Sequence, residues 1–573
     1  MHLRKAHDKR INRTYLSIVH GYRDEKGKPK SKVIKSLGYL DELQKKHPDP
    51  ITHFTEVAKL MDAERKASNK ISVTIDMNEQ LTLGNTYCKN YGYLVYSKLY
   101  HELEIDRFLD NARRHKNFCF NSEAIMRLLV YSRLLHPGSK REAVLNKEQF
   151  FDSFNFTLDD VYNSLDHFNG ISEGLQKHLH QKVVEQYNRK TDLVYYDVTN
   201  YYFATDTADE LRRRGASKEN RKTPIVQMGL LMDTHGMPIS YKMFPGNTHD
   251  SQTLMPTLKE LKKRFGVKRL ITVADKGLNS GDNIAFATAL KDGYIYSKSI
   301  RGASEEFKKW VLEQSGYYET TENLKIKSRV LPDAEIWVSV ERAGKNTKKK
   351  KIKIEQKQIV FYSEKYAKRA KHKRAEAIEK ATKMIANPSK YQRSFDYGAA
   401  GYVKNIKVDK DTGEILNIGE TLLLDTAKIE EEAKYDGYYA LVTSEFDDSD
   451  AHIVEIYRGL WLIEENFKIS KSVLGTRPFY VRELEHINAH FLTCFISLLI
   501  ARAIEIRLNR KHPIAKIAET LRKITCSRAE QNIWLFHYRD ELTDLMNSVF
   551  GTDFGQKYLT HEKIKNNFSL SKI

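Results

Sequence analysis

Between Ser449 and Lys471 the chain reads SDAHIVEIYRGLWLIEENFKISK, and apolar side chains return at Ile453, Ile456, Leu460, Ile463 and Phe467. Steps of three and four residues draw one apolar stripe along an α-helix. Ser449 or Asp450 can cap its start. Tyr457, Glu464 and Lys471 follow at seven-residue intervals, so at about 100° per residue they share one line on the rim of the stripe. Glu465 falls about 100° away, toward solvent. Taken alone, the segment is an ordinary amphipathic helix with charged rims. A carboxylate held at the edge of a core can also serve as a metal ligand or an acid–base group.

The rest of the chain shifts that balance. Residues 12–40 hold two β-rich runs, TYLSIVHGYRD and KSKVIKSLGYL, around a Gly/Pro turn, and residues 41–72 form a charged helical connection. From Gly84 to Asn188 the pattern is helical: YLVYSKLYHEL, EAIMRLLVYSRLLH and EGLQKHLHQKVVEQY. Pro137-Gly138 ends the second of these, and Ser139 can cap the next helix. This bundle suits DNA binding, dimerisation or a purely structural role.

At Thr191 the texture changes to TDLVYYDVTNYYF, a strand whose alternation puts Leu193, Tyr195, Asp197 and Thr199 on one face. An Asp inside such a run needs a partner: a cap, an ion pair or a metal. The strands IVQMGLLMD and PISYKMFPG follow, then the helix SQTLMPTLKELKKRF, stopped by Gly266. RLITVAD then ends on Asp275. Strand, strand, strand, helix, strand is the order expected of a ribonuclease-H-like core. There the first strand lies beside the fourth, so Asp197 and Asp275 meet at one sheet site. The opening helix, with Glu464, supplies a third carboxylate.

Residues 301–435 read as a β-rich insertion into that core. EIWVSVERAG and KIKIEQKQIVFYS form a hairpin around GKNTKKKKIK, which contains Lys348, Lys349, Lys350 and Lys351, and the helix KYAKRAKHKRAEAIEKATKMIA follows. The lysine cluster reads as a phosphate-tracking surface, with a solvated loop as the plainer alternative. The reading is thus a multidomain α/β chain: β unit and linker 1–72, helical region 73–190, core 191–300, insertion 301–435, core 436–510 and a helical, basic region 511–573. His486 and His490 lie one turn apart in a largely apolar helix and are expected to be structural.

Charge points to a partner. Lys and Arg number 95 against 75 Asp and Glu, a net +20, interleaved with 32 Tyr and 25 Phe. A basic surface of this size suits a polyanion, nucleic acid before anionic membrane. The four cysteines include no C-x-x-C pair, so neither a zinc finger nor a disulfide framework is indicated. No signal segment opens the chain, and the longest apolar run, near 491–501, is too short to span a bilayer. A cytoplasmic protein without a membrane partner is expected.

At this point the residues resemble bacterial insertion-sequence transposases of the DDE type, in the branch with a Y-R-E-K signature. They are most similar to the IS-sixteen-thirty-four type within the IS-four-like superfamily. The resemblance rests on YYDVTNYYF around Asp197, GASKENRK at 215–222, GLLMDTHGMPISYKMFPGNTHDSQT at 229–253, ITVADKG around Asp275, YDGYYALVTS at 435–444 and YRGLWLIEENFKISKSVLGTRPFYV at 457–481. It implies that Asp197, Asp275 and Glu464 form the acidic triad and that Tyr457 and Lys471 match the signature's tyrosine and lysine. The signature's arginine position falls on Leu460, and Arg458 is the candidate replacement.

The implied chemistry fits these residue types. Three hard carboxylates suit two Mg²⁺ or Mn²⁺ ions serving an in-line phosphoryl displacement. Lys471 would neutralise phosphate, Tyr457 and Arg458 would position it, and Trp461 would stack on an unpaired base. The expected partners are double-stranded transposon ends and target DNA, bound by a homodimer. The alternatives are a metal-dependent nuclease or resolvase on the same fold, or a DNA-binding protein that has lost catalysis.

Overall fold

The computed structural model describes residues 1–572 except 24–28, 69–77, 79, 81–82, 85–86, 115, 117, 119, 204–206, 216–222, 321–323, 341–347, 388–397, 409–414, 417–421 and 530–531. Most of GASKENRK therefore lies outside the described residues. The chain forms two compact units.

One unit comprises residues 1–89, 525–538 and 555–567. Its N-terminal sheet has three antiparallel strands, His2–Asp8, Arg13–Arg23 and Pro29–Tyr39. The first escapes a pattern reading because HLRKAHD is basic and has no β-branched residue. Leu16, Ile18 and Val19 are its buried centre. A second sheet joins the short strands Tyr558–Thr560, Ile533–Phe536, Thr525–Arg528 and Cys88–Asn90. The C-terminal region is therefore not wholly helical, as the sequence reading had it. Ile533, Trp534 and Phe536 are buried residues of a strand, Ile533–Phe536, in that region.

The other unit, residues 90–524 with 539–554 and 568–573, holds the helical region, the core and the insertion together. Its nine-stranded sheet runs, edge to edge, Tyr318–Glu319, Lys325–Val340, Lys348–Tyr362, Tyr438–Thr443, Gly293–Lys298, Ile271–Ala274, Leu193–Tyr202, Ile225–Met232 and Pro238–Pro245. The Leu193–Tyr202 strand pairs antiparallel with Ile225–Met232 and parallel with Ile271–Ala274, so the first core strand does lie beside the fourth. One face is sealed by Val194, Tyr196, Leu231, Leu258, Ile284 and Tyr296, all buried.

The insertion's hairpin is continuous with this sheet, because Lys357–Tyr362 pairs with Thr443–Tyr438. Lys348–Lys351 belong to its second strand, not to the turn, and pair with Val340–Trp337. Beyond an irregularity between Leu331 and Ala334 the hairpin reaches the helix Gly281–Ala289. Ser339 there donates to the Asp282 carboxylate from its amide at 2.6 Å and from its hydroxyl at 2.9 Å. A side chain on Gly281 would meet the Trp337 carbonyl at 2.0 Å, so only glycine admits the contact.

Helices Ser122–Leu135 and Leu158–Tyr187 pack on Leu484–Arg507. Ser139 caps its helix as expected, and Thr157 and Asp160 form a reciprocal capping box. Leu484–Arg507 is long and apolar enough to cross a membrane by composition, but 94% of its apolar window is buried within the unit. His490 is buried on it, 3.3 Å from the Lys140 ammonium, and His486 lies 3.5 Å from Asp166.

Candidate active site

The segment that carries Tyr457, Glu464 and Lys471 is not one regular helix. It runs as Asp450–Arg458, capped by Ser449, then Trp461–Lys468, then a π-helical turn over Ile469–Val473. At Gly459 and Leu460 the bonds tighten to the i−3 pattern, with Leu462 donating to Gly459 and Ile463 to Leu460. The cause is Tyr195. Its hydroxyl donates to the Ile456 carbonyl at 2.8 Å, and a Cβ on Gly459 would sit 2.2 Å from that hydroxyl. The apolar stripe survives the break, with Ile453, Leu460, Ile463 and Phe467 buried.

Asp197 and Asp275 each stand two residues beyond the last parallel pair, Tyr195 with Val273. Equal offset from that pair puts Asp197 midway along Leu193–Tyr202 and Asp275 just past the end of Ile271–Ala274, on adjacent strands that lie about 4.8 Å apart. The Leu193–Tyr202 strand meets the broken helix. Tyr195 binds Ile456, and Thr199 accepts from the Lys471 ammonium at 2.6 Å, so Asp197 falls between two anchors. Glu464 falls between the same anchors on the opposing segment. Lys471 also lies 5.5 Å over the Tyr201 ring.

Asp275 is fixed from two sides. Its Oδ1 accepts from the Ser297 hydroxyl at 2.8 Å and from the Tyr457 hydroxyl at 3.4 Å. Burial, then the Asp275 charge, raises the Tyr457 phenol, which therefore remains a donor. Asp275, Tyr457, Arg458, Leu460, Trp461 and Glu464 line one cavity of about 500 Å³; Asp197 is not among its lining residues. Glu464 is exposed and has no hydrogen-bond or ion-pair partner among the described residues. Trp461 is 56% exposed at the rim. Among the described residues no three His, Cys, Asp or Glu side chains are gathered tightly enough to hold a metal ion.

Glu465 departs from expectation. It points away from the cavity, but not into solvent: its carboxylate accepts from Arg502 at 2.8 Å. Arg502 is fully buried and also donates to Asn466 and to Glu505, each at 2.6 Å. One guanidinium thus clamps the helix beside Glu464 to the central apolar helix. An Arg and a Glu three residues apart inside an apolar run were the signal for it.

Lys348–Lys351 lie outside this cavity. Lys351 is paired with Glu335 at 2.7 Å and stands 5.2 Å from the Trp337 ring, leaving Lys348, Lys349 and Lys350 exposed. The cavity has its own cations, which sequence reasoning missed: Lys276, Lys298, Arg301 and Arg369 join Arg458 in its wall.

A family model described as Transposase DDE domain matches residues 188–500. Another, described as IS1634 family transposase, N-terminal domain, matches residues 3–70. No curated protein matches the chain. Among solved structures, a piggyBac transposase synaptic complex with hairpin DNA aligns at 8% identity and TM-score 0.35, covering 84% of each chain. A Mos1 transposase paired-end complex with left transposon end aligns at 11% identity and TM-score 0.14, covering 44% of this chain and 70% of that one. The DDE domain match spans more than half of the chain and the N-terminal match narrows the group: the chain belongs to the DDE transposases, of the IS1634 type.

Proposed function

We propose that this transposase cleaves the phosphodiester at transposon ends and joins the freed 3′-hydroxyl to target DNA, with Asp197, Asp275 and Glu464 as its acidic triad on a ribonuclease-H-like core. The observation that carries the assignment is the shared offset of Asp197 and Asp275 from one parallel pair, on adjacent strands of which the first meets the Glu464 segment. Three carboxylates are the donor type that a hard divalent cation takes. Both bonds to Asp275 land on Oδ1, leaving Oδ2 uncommitted among the described residues, and Glu464 is free at both oxygens. Bound between these carboxylates, two Mg²⁺ or Mn²⁺ ions would supply Lewis-acid stabilisation of the attacking and leaving oxygens.

The chain's own residues do the rest. Tyr457 holds Asp275 in place by its phenolic proton, and Ser297 seconds it from the neighbouring strand. Lys471, anchored on Thr199, brings a positive charge beside Asp197 to meet a phosphate oxygen. Arg458 and Trp461 at the cavity rim contact the DNA end by charge and by base stacking. Lys348, Lys349 and Lys350 track the backbone of double-stranded ends or target. Joining two ends calls for two active sites, hence a homodimer on DNA, working in the cytoplasm.

The test is a supercoiled donor plasmid carrying the element's inverted repeats, incubated with purified protein and Mg²⁺. Excised element and joined target product are expected. Cleavage without any joined product would reduce the activity to that of a nuclease.

A further inference from the structure

The Y-R-E-K pattern places an arginine three residues after its tyrosine, and here that position is Leu460, an apolar side chain in the cavity wall. A site that neutralises a phosphodiester in flight loses a strong contributor when such a cation is missing. We propose that Arg369, on the helix Glu364–Ala386 of the insertion, supplies that guanidinium and contacts a phosphate next to the scissile bond. The inference rests on the transposase reading of this site.

Three observations carry it. Arg369 lines the same cavity as Asp275, Leu460 and Glu464, though it comes from an element far away in sequence. It has no ion-pair or hydrogen-bond partner among the described residues, unlike Lys368, paired with Glu364 at 2.9 Å, and Arg374, paired with Asp436, and among the described basic residues of its helix it is the one that lines the cavity. Finally, Tyr439 reports where its charge falls. Burial raises the Tyr439 phenol, Asp275 adds to the rise, and Arg369 and Arg301 oppose it. Arg369 and Asp275 therefore lie within electrostatic reach of one hydroxyl, and that ring is held by Phe361 in a stack at 5.4 Å.

Arg301 is the weaker candidate, because it already faces Glu432 at 3.7 Å and Asp436 at 3.6 Å. Arg369 combines an unengaged charge with five N–H donors in a planar fork, which suits the two free oxygens of a phosphodiester. An insertion that otherwise reads as a DNA-tracking surface would thus complete the catalytic site.

The experiment is single-turnover cleavage of a labelled end duplex by the full-length protein, for the parent, Arg369→Ala, Arg369→Lys and Arg458→Ala. Each is run on normal DNA and on duplexes carrying one neutral methylphosphonate at successive phosphates around the scissile bond. Arg369→Ala should cleave about 100-fold more slowly, the loss typical of one oriented donor, with end binding changed by less than about threefold because many other phosphate contacts persist. Arg369→Lys should regain part of the rate. At one phosphate, neutralisation should slow the parent but leave Arg369→Ala nearly unaffected, since the two changes remove the same interaction. A structural role for Arg369 would instead give losses that multiply at every phosphate, and that result overturns the proposal. So does a parental cleavage rate in Arg369→Ala, or coupling that appears with Arg458→Ala alone. A parent that cleaves no end DNA at all would take down the underlying reading of the site, a distinguishable failure.

Discussion

Two adjacent glutamates offer a separation of catalysis from stability. Glu464 is exposed and unpartnered among the described residues, so Glu464→Gln should leave the folding free energy within about 0.5 kcal/mol of the parent. The same change removes a full negative charge from the proposed acidic triad. A loss of about 4 kcal/mol of charge stabilisation at a metal site corresponds to about a thousandfold in rate. Glu465→Gln should do the reverse. Glu465 is 31% exposed and holds one of the three bonds of the buried Arg502. A bond to a charged group is worth about 1.5–3 kcal/mol when buried. Partial exposure, and an amide oxygen that can still accept, bring the expected cost down to about 1 kcal/mol. Denaturant midpoints would read the stability arm. A gel assay with labelled end DNA in Mg²⁺, with Ca²⁺ for binding alone, would read the catalytic arm. Parental cleavage by Glu464→Gln, or a dead but fully stable Glu465→Gln, would show that the third carboxylate has been misassigned.

Other outcomes follow from charges described above. Replacing Lys348–Lys351 by Ala should weaken binding to all duplex sequences alike, and the log–log salt slope should fall by about 2.7, since three lysines are free and each phosphate contact contributes about 0.9; an unchanged slope would make the strand a solvated surface. Burial first, then Arg133, lowers the Lys140 ammonium to about 7, in a setting with His490 and Cys494 and, among the described residues lining it, no carboxylate. Its folded value lies below the unfolded one, so the folded chain binds fewer protons between the two and stability should rise as pH climbs from about 7 toward 10. Lys140→Met should flatten that rise, as melting temperatures at pH 7 and pH 9 would reveal.

How much of this was legible in the sequence depended on the range of the interactions. Asp197 and Asp275 could be found because alternation and strand order are local patterns, and the parallel pairing of their strands then followed. Of the seven-residue line, Tyr457 and Glu464 share one cavity wall, whereas Lys471 sits on the π-helical turn and reaches Thr199 instead. The break itself was hidden: it answers to the Tyr195 hydroxyl, which reaches in from a strand 261 residues away. The C-terminal strands were hidden for the same reason, because Cys526 contacts the Lys89 carbonyl 437 residues off. Arg369 was masked differently. It sits in a run where almost every second residue is basic, and only its place in the cavity wall singles it out.

The burial of Leu484–Arg507 has a consequence for the birth of the protein. Its partners Ser122–Leu135 and Leu158–Tyr187 leave the ribosome roughly 300 residues earlier, which at about 5–20 residues per second is about 15–60 s of waiting. During that interval their apolar stripes lack this mate and have only each other and the neighbouring early helices to pack on. When the late helix emerges it is apolar enough to interest a lipid bilayer, but it carries Arg502 and Glu505 within one turn. Both charges stand in its last two turns, and in the protein interior they satisfy each other and Glu465, so the helix finds its polar partners within its own bundle.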